Sequence, residues 1–364
     1  MMISFRNLLL PLALGATLHA QGFGFGAVYT LSNDTGGNAV EVTLRLPNGA
    51  LWPFASFATG GDGTGMGLGS QGAIAGSCDA GRLVVVDPGS DELTMFRSFF
   101  GIFLFRTSTV SSGGDRPTSV AMDGRLVYAL NADSDEVTGF RIQGNRLRPI
   151  PGASYGLSQS GAAGAQVGFS PNGDWLVVTE RATDTITVFE VRPNGTLGAV
   201  QHNASAGMTP FGFEFRRDGL LVVSDAAGGA ANASTTSTYR IQNDGTLATI
   251  TAAAPTNQTA ACWIALPPDG HFAYTTNTGS GNLTGYDVDA PGQLMLLDPS
   301  GVSGDLGTGA SPIDASFDRS GRLLFVLDSG NDEIATFRRN ADGSLTRLAA
   351  TISLDDGAAG LLAF

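Results

Sequence analysis

Seven times along the chain an apolar run ends on an amide or acidic residue, at Asn33, Asp87, Asn131, Glu180, Asp225, Asn277 and Asp328, with 44 to 54 residues between successive endings. A repeat of this period is the signature of a β-propeller or another array, in which each unit buries its apolar face only against its neighbours. The unit is clearest between Gly164 and Val200, where GAQVGFSPNGDWLVVTERATDTITVFEVRPNGTLGAV reads as four antiparallel strands. The spacing predicts an inner strand over 166–169, a Pro-Asn-Gly turn, strands over 175–179 and 185–191, an Asn-Gly turn, and an outer strand from Thr196. Asn-Gly and Asp-Gly supply the positive φ that tight antiparallel hairpins need. Four such strands in a meander make one propeller blade, so the expected fold is all-β, a seven-bladed propeller of four-stranded antiparallel blades.

The same grammar recurs over 70–98, 116–142, 209–225, 259–288 and 311–339. The first copy starts at AVYTLSND and has no inner strand ahead of it, whereas the C-terminal GAAGLLAF (357–364) aligns with GAAGAQVGFS of the fourth copy and then stops. The C-terminal strand is therefore expected to join the N-terminal blade, closing the ring and leaving no open sheet edge at the seam. Four irregular stretches, Thr59 to Gly69, Ser108 to Asp115, Gly152 to Gly164 and Ser300 to Gly309, precede inner strands and are expected as inter-blade loops on one face.

Residues 1–20, MMISFRNLLLPLALGATLHA, carry one positive charge at Arg6, an apolar stretch and small residues near the end, the pattern of a secretory signal peptide. The propeller is then expected over 21–364, outside the cytoplasm, secreted or periplasmic. Removing the leader takes away Arg6, so the formal charge of −13 becomes −14, a balance that repels nucleic acid and anionic membranes. The partners expected are a small lactone or carboxylate, with no nucleic acid, no membrane span, no cofactor and a monomeric chain. The two cysteines, Cys78 and Cys262, fall in different repeats and different parts of the unit, and are expected to be unpaired. Asn-x-Ser/Thr sequons stand at Asn33, Asn194, Asn203, Asn232, Asn257 and Asn282.

In a propeller, the residues that start inner strands and end second strands converge around one mouth of the central channel. Here they form an acidic and amide funnel with two cations, Arg116 and Arg181, able to hold a carboxylate. Six of the run endings are Asn or Asp, which also suit turns because their side chains bond nearby backbone; the seventh, Glu180, is a poor turn former and is followed by Arg181. Glu180, Arg181 and Arg116 are the candidate catalytic set, and Gln71, Asn131, Gln166, Phe211, Asp225 and Asn277 are the candidate substrate-binding residues. Hard-cation ligation by Asp87, Glu180, Asp225 and Asn277 is chemically conceivable, yet acids recur in an array by repetition alone and no metal is assigned. With His202 and His271 the only histidines beyond the leader, neither a Ser-His-Asp triad nor a zinc site can be assembled. Cys262 and Trp263 interrupt an inner strand of otherwise small residues, as core packing or as an aromatic wall of the channel.

The seven copies, FSPNGDWLVVTERATDTITVFEV above all, resemble the lactonase-type seven-bladed propellers, a group that includes propeller 6-phosphogluconolactonase and the fungal carboxymuconate-lactonizing enzyme. GAVYTLSND, GSQGAI, SSGGDRPTSV and QTAACW are similar to a secreted branch labelled 3-carboxymuconate cyclase-like. The resemblance implies metal-independent lactone hydrolysis or lactonization. It implies a Glu at the position of Glu180, and a Gly-Pro-Arg-His run where this chain has Gly164-Ala165-Gln166-Val167. The resemblance's Arg and His are absent; Glu180 with Arg181 or Arg116 would have to supply proton transfer and oxyanion stabilisation. A non-catalytic exported propeller binding a ligand or protein on its loop face is the alternative.

Overall fold

A computed structural model describes residues 25–349 and 351–364; the expected leader lies outside the described residues. The described chain forms seven antiparallel sheets, and the only helix among these residues is one 3-10 turn, Ala227–Gly229. Blade 4 runs Gly164–Phe169, Trp175–Glu180, Thr185–Val191 and Leu197–Ala204, close to the strands read from the repeat. In blades 6 and 7 the fourth strand is broken into two short pieces that pair with the same neighbour.

The ring closes as expected. Ala359–Ala363 pairs with Gly26–Leu31 as the inner strand of blade 1, with Val28 opposite Ala363 and Leu31 opposite Ala359. Beyond the pairing, the amides of Leu361 and Ala363 donate to Asp314 and Ser316 of blade 7, and the Phe364 ring meets Tyr29 edge-on at 5.8 Å.

Three of the expected loops are partly strand, Ser300 to Gly309 through the two-residue piece Gly304–Asp305. Ser108 to Ser111 ends the outer strand of blade 2, Phe103–Ser111, and Gly152 to Gly156 ends that of blade 3, Arg146–Gly156. Glycine and serine suggested loop there, but cross-strand pairing with an apolar third strand decides the conformation of an edge. Both cysteines are free, Cys78 exposed and Cys262 buried.

The core consists of apolar clusters between adjacent blades, because alternate side chains of each second strand meet the neighbouring blade on either side. Leu176 and Val178 pack toward blade 3, whereas Val177 packs toward blade 5. Sheets buried on both faces explain why the second strands read as continuous apolar runs, not as alternating ones. Among the described residues no helix is long and apolar enough to cross a membrane.

Candidate active site at the channel mouth

The endings of the apolar runs do not line the channel. All seven are fully buried; five bond a hydroxyl of their own blade's third strand, Asn33 bonds the loop residues Thr64, Met66 and Gly357, and Asp328 accepts from the Ser311 amide and from Asn331. Asp87 accepts from Thr94, Asn131 donates to Thr138, Asn277 donates to Thr284, and Asp225 accepts from Ser205, Thr235 and Ser237. The expected funnel of acids is instead a ring of internal latches. Asn131, Asp225 and Asn277 present no side chain to a ligand, and Asp87, Glu180, Asp225 and Asn277 each sit in a separate blade. Burial raises the Asp225 carboxyl to about 7 against the pull of its three hydroxyls, and raises Asp87 in the same direction.

Glu180 is the latch of blade 4. Its carboxylate accepts from the Ser158 amide at 3.1 Å, the Ser158 hydroxyl, the Thr183 hydroxyl at 3.0 Å and the Thr187 hydroxyl at 2.5 Å. A longer acid fits because Ser158, in the loop from blade 3, reaches down to meet it. Thr187 in turn accepts from Nδ1 of His202 at 2.9 Å, since its own proton goes to Glu180. His202 thus lies on the outer strand of blade 4 and not at the mouth, and joins Glu180 through one hydroxyl. Glu180 reaches solvent only by way of Ser158 and Thr183, both half-exposed.

The inner strands carry a second repeated device. In blades 3 to 7 a β-bulge follows the first residue or two, and it pushes Thr118, Ala165, Phe211, Cys262 or Ile313 toward the axis. The residue just before this point holds a left-handed backbone in four blades without being glycine: Arg116, Ala163, Thr209 and Ala260. Aspartates of the preceding blade brace it, Asp91 accepting from the Arg116 amide, Asp135 from Ala163 and Asp184 from Thr209. Such backbones are costly in isolation and persist where surrounding bonds fix them.

Ala165, Phe211, Cys262 and Trp263 form an apolar floor across the axis, joined by Ala260 and Ile313. The Phe211 and Trp263 rings meet at a tilt with their centroids 4.8 Å apart, and the Trp263 indole donates to the Ser70 carbonyl. Burial pushes the Cys262 thiol up to about 11, so it stays protonated. Above the floor lies Arg181, its Nε bonded to the Ala163 carbonyl at 3.1 Å and its guanidinium 5.3 Å over the Phe211 ring. Its pKa is lowered by burial and then by the positive charge of Arg116, while Cys262 opposes the shift. Among the described residues Arg181 has no carboxylate partner, whereas Arg116 is paired with Asp133 at 2.7 Å.

The channel is plugged from blade 2, whose inner strand is only Ile74–Gly76 because the preceding segment leaves the sheet and crosses the axis. Ser70 bonds the Thr118 carbonyl, the Gln71 amide bonds Ala165, and the Gln71 side chain pairs with both the amide and the carbonyl of Ile264 in blade 6. Gln71 is there because Gly212 has no side chain; a Cβ at 212 would collide with its Oε1. Gln166 makes the same pair of hydrogen bonds to the backbone of Phe213. Gln71 and Gln166, expected to bind substrate, spend both ends of their amides on backbone, Gln71 across the axis in blade 6 and Gln166 in the adjacent blade 5. Of the expected binding residues only Phe211 remains at the floor of the mouth, beneath Arg181.

A family profile described as lactonase, seven-bladed β-propeller, matches residues 74–247 and 230–359. The chain belongs to this lactonase family. The Lactococcus lactis protein YwcC is 27% identical over 245 residues, 61% of this chain and 67% of that one. Among solved structures, the Pseudomonas aeruginosa periplasmic gluconolactonase PpgL matches with a TM-score of 0.74 at 18% identity, over 93% of this chain and 98% of that one. A Bacteroides fragilis structure described as a candidate 6-phosphogluconolactonase gives 0.73 at 20% identity over the same shares. At these identities the structural likeness is one of fold.

Within this lactonase-family ring, the bulges and the plug escaped sequence reasoning because no residue type announces them. One signal was available: Gly212 breaks the pattern set by Gln166 at the same place in the preceding blade. A missing side chain in an inner layer calls for a substitute from elsewhere.

Proposed function

We propose that this lactonase-family propeller acts on a small lactone or its ring-opened carboxylate, docked at the mouth with its charged or carbonyl oxygen on Arg181. The observation that carries this is the state of that guanidinium: it is held by Ala163 and Phe211, half-buried, and unpaired by any carboxylate among the described residues. A fixed cation over an apolar floor can stabilise the charge that develops on a lactone carbonyl as water adds, at no cost of reorganisation. Glu180 acts from beneath, taking up a proton through the Ser158 or Thr183 hydroxyl, and Arg116 accepts a second carboxylate when the substrate is a polycarboxylate of the carboxymuconate kind. The periplasmic gluconolactonase among the structural relatives, together with the leader-like residues 1–20, supports work outside the cytoplasm. N-terminal sequencing of exported protein is expected to begin at Gln21.

The second reading is ligand binding without turnover, and one observation favours it: the Glu180 carboxylate already accepts four hydrogen bonds and has no direct path to a water. Hydrolysis of a lactone panel with a pH indicator separates the two. Turnover that falls by about 100-fold or more in Arg181→Gln and in Glu180→Gln, with melting held, supports catalysis. Binding of a sugar acid by calorimetry, lost in Arg181→Gln without turnover in either protein, supports the second reading. Neither turnover nor binding overturns the assignment of the mouth.

A further inference from the structure

The rim of the disc at blades 1 and 2 carries most of the large exposed aromatics among the described residues. Trp52 is 49% exposed, Phe99 49%, Phe100 78%, Phe103 41% and Phe105 46%. The four phenylalanines form one patch. Phe103 stands opposite Phe99 on the neighbouring strand and meets Phe54 of blade 1 edge-on at 5.4 Å, while Phe99 meets Phe105 at 5.3 Å. At roughly 200 Å² for a whole aromatic side chain, the exposed parts of these four amount to on the order of 400 Å² of apolar surface. That is the size of the largest patch on a typical monomer, and such a patch is often functional.

The strand beneath the patch is also a long outer edge, apolar over Phe103 to Phe105. The outer strand of blade 2, Phe103–Ser111, is nine residues long, ends its sheet and contains no proline. Its one charged side chain, Arg106, is exposed but tethered, donating to the Thr59 carbonyl at 2.7 Å. Other edges are blunted in the usual ways. The outer strands of blades 1, 3 and 5 contain Pro53, Pro149 with Pro151, and Pro255, and those of blades 6 and 7 are broken into pieces of two or three residues. Blade 4 lacks proline but presents the polar Gln201, His202 and Asn203 there.

We propose that this rim is a homodimer interface, in which the outer strand of blade 2 pairs antiparallel with the same strand of a second copy about Phe105, so that the two aromatic patches meet side by side on one face of the joined sheet across the two-fold axis. A stable interface needs about 800 Å² from each partner. The aromatics that meet across the axis supply part of it, and the two edges join their open main-chain groups. An isologous contact of this kind is self-limiting, so it gives a dimer and not a fibre. A second copy suits the patch better than a membrane surface does, because the chain's net charge of −13 opposes approach to anionic lipid. The contact lies on the rim and leaves both mouths of the channel free.

Sedimentation velocity of the mature chain from about 1 µM to about 100 µM tests this. The wild type is expected to be a dimer over most of that range, and Phe100→Asp and Phe105→Lys to be monomers with unchanged circular dichroism. Val200→Asp, on the outer strand of blade 4 and 40% exposed, is expected to stay dimeric. A monomeric wild type at the highest concentration, or dimers of equal strength in the two patch variants, would overturn the proposal. So would a monomer that floats with phosphatidylcholine vesicles through the same aromatics.

Discussion

Asp225→Asn is expected to remove one defined share of the pH dependence of stability. In the folded chain the Asp225 carboxyl lies at about 7, raised chiefly by burial and also by the nearby charge of Asp184, from 3.8 when solvated. The folded state therefore binds this proton more tightly than the unfolded state does. That advantage is complete below the unfolded value and is lost as pH rises through about 7. A shift of about 3 units corresponds to about 4 kcal/mol in all, of which about 2.5 kcal/mol disappears between about pH 5 and about pH 8. For a ring of this size that is a fall in melting temperature of about 3 to 4 °C. Asparagine already serves as the same latch at Asn131 and Asn277, so the variant should fold, accepting from Ser237 through its carbonyl oxygen. Urea unfolding at the two pH values, with wild type and variant compared, reads the difference. Asp87, Glu214 and Asp314, also raised by burial, leave a residual slope in the variant. A variant that keeps the full wild-type slope would show that Asp225 is ionised throughout, and that its three hydroxyl partners outweigh its burial.

Truncation after Ala359 removes most of the closing strand and leaves Asp314 buried without its Leu361 donor, so a loss on the order of 5 kcal/mol or more is expected. A circular dichroism melt unchanged from wild type would sink the closure. Gly212→Ala should displace Gln71 from Ile264 and cost about 1 to 3 kcal/mol in urea unfolding, because a Cβ there takes the space of the Gln71 amide. The same residue placed at Gly144, where a Cβ meets nothing but φ is +61°, should cost about 1 kcal/mol through backbone strain alone. If the chain is secreted from a glycosylating cell, peptide mass spectrometry should find glycans at Asn194 and Asn232, which are exposed. It should find none at Asn33, which is fully buried, or at Asn282, whose amide donates to Gln258.

Much of the site was not legible in the chain, and particular residues show why. Arg181 was found because it breaks the repeat, and it does lie over the mouth. Glu180 was found for the same reason, yet its side chain points the other way. Adjacent residues at a strand end project to opposite sides, and which side faces the axis depends on the bulges of the next strand. His202 precedes an inner strand in sequence, but pairing draws it to the outer edge, where Thr187 links it to Glu180.

By itself the sequence determined what repeats: seven units, four strands each, hairpin turns at Asn-Gly and Asp-Gly, and a terminal strand that had to complete the first blade. These follow from periodicity and local backbone preference, which a chain carries with it before it folds. Only the tertiary structure decided what converges. The plug at Gln71, the floor of Phe211 and Trp263, the unpaired cation of Arg181 and the aromatic rim at Phe103 each bring together residues from different blades. No local rule governs where such residues meet. Their positions follow from ring closure, and from the need of every buried amide and carboxyl to find a partner across it.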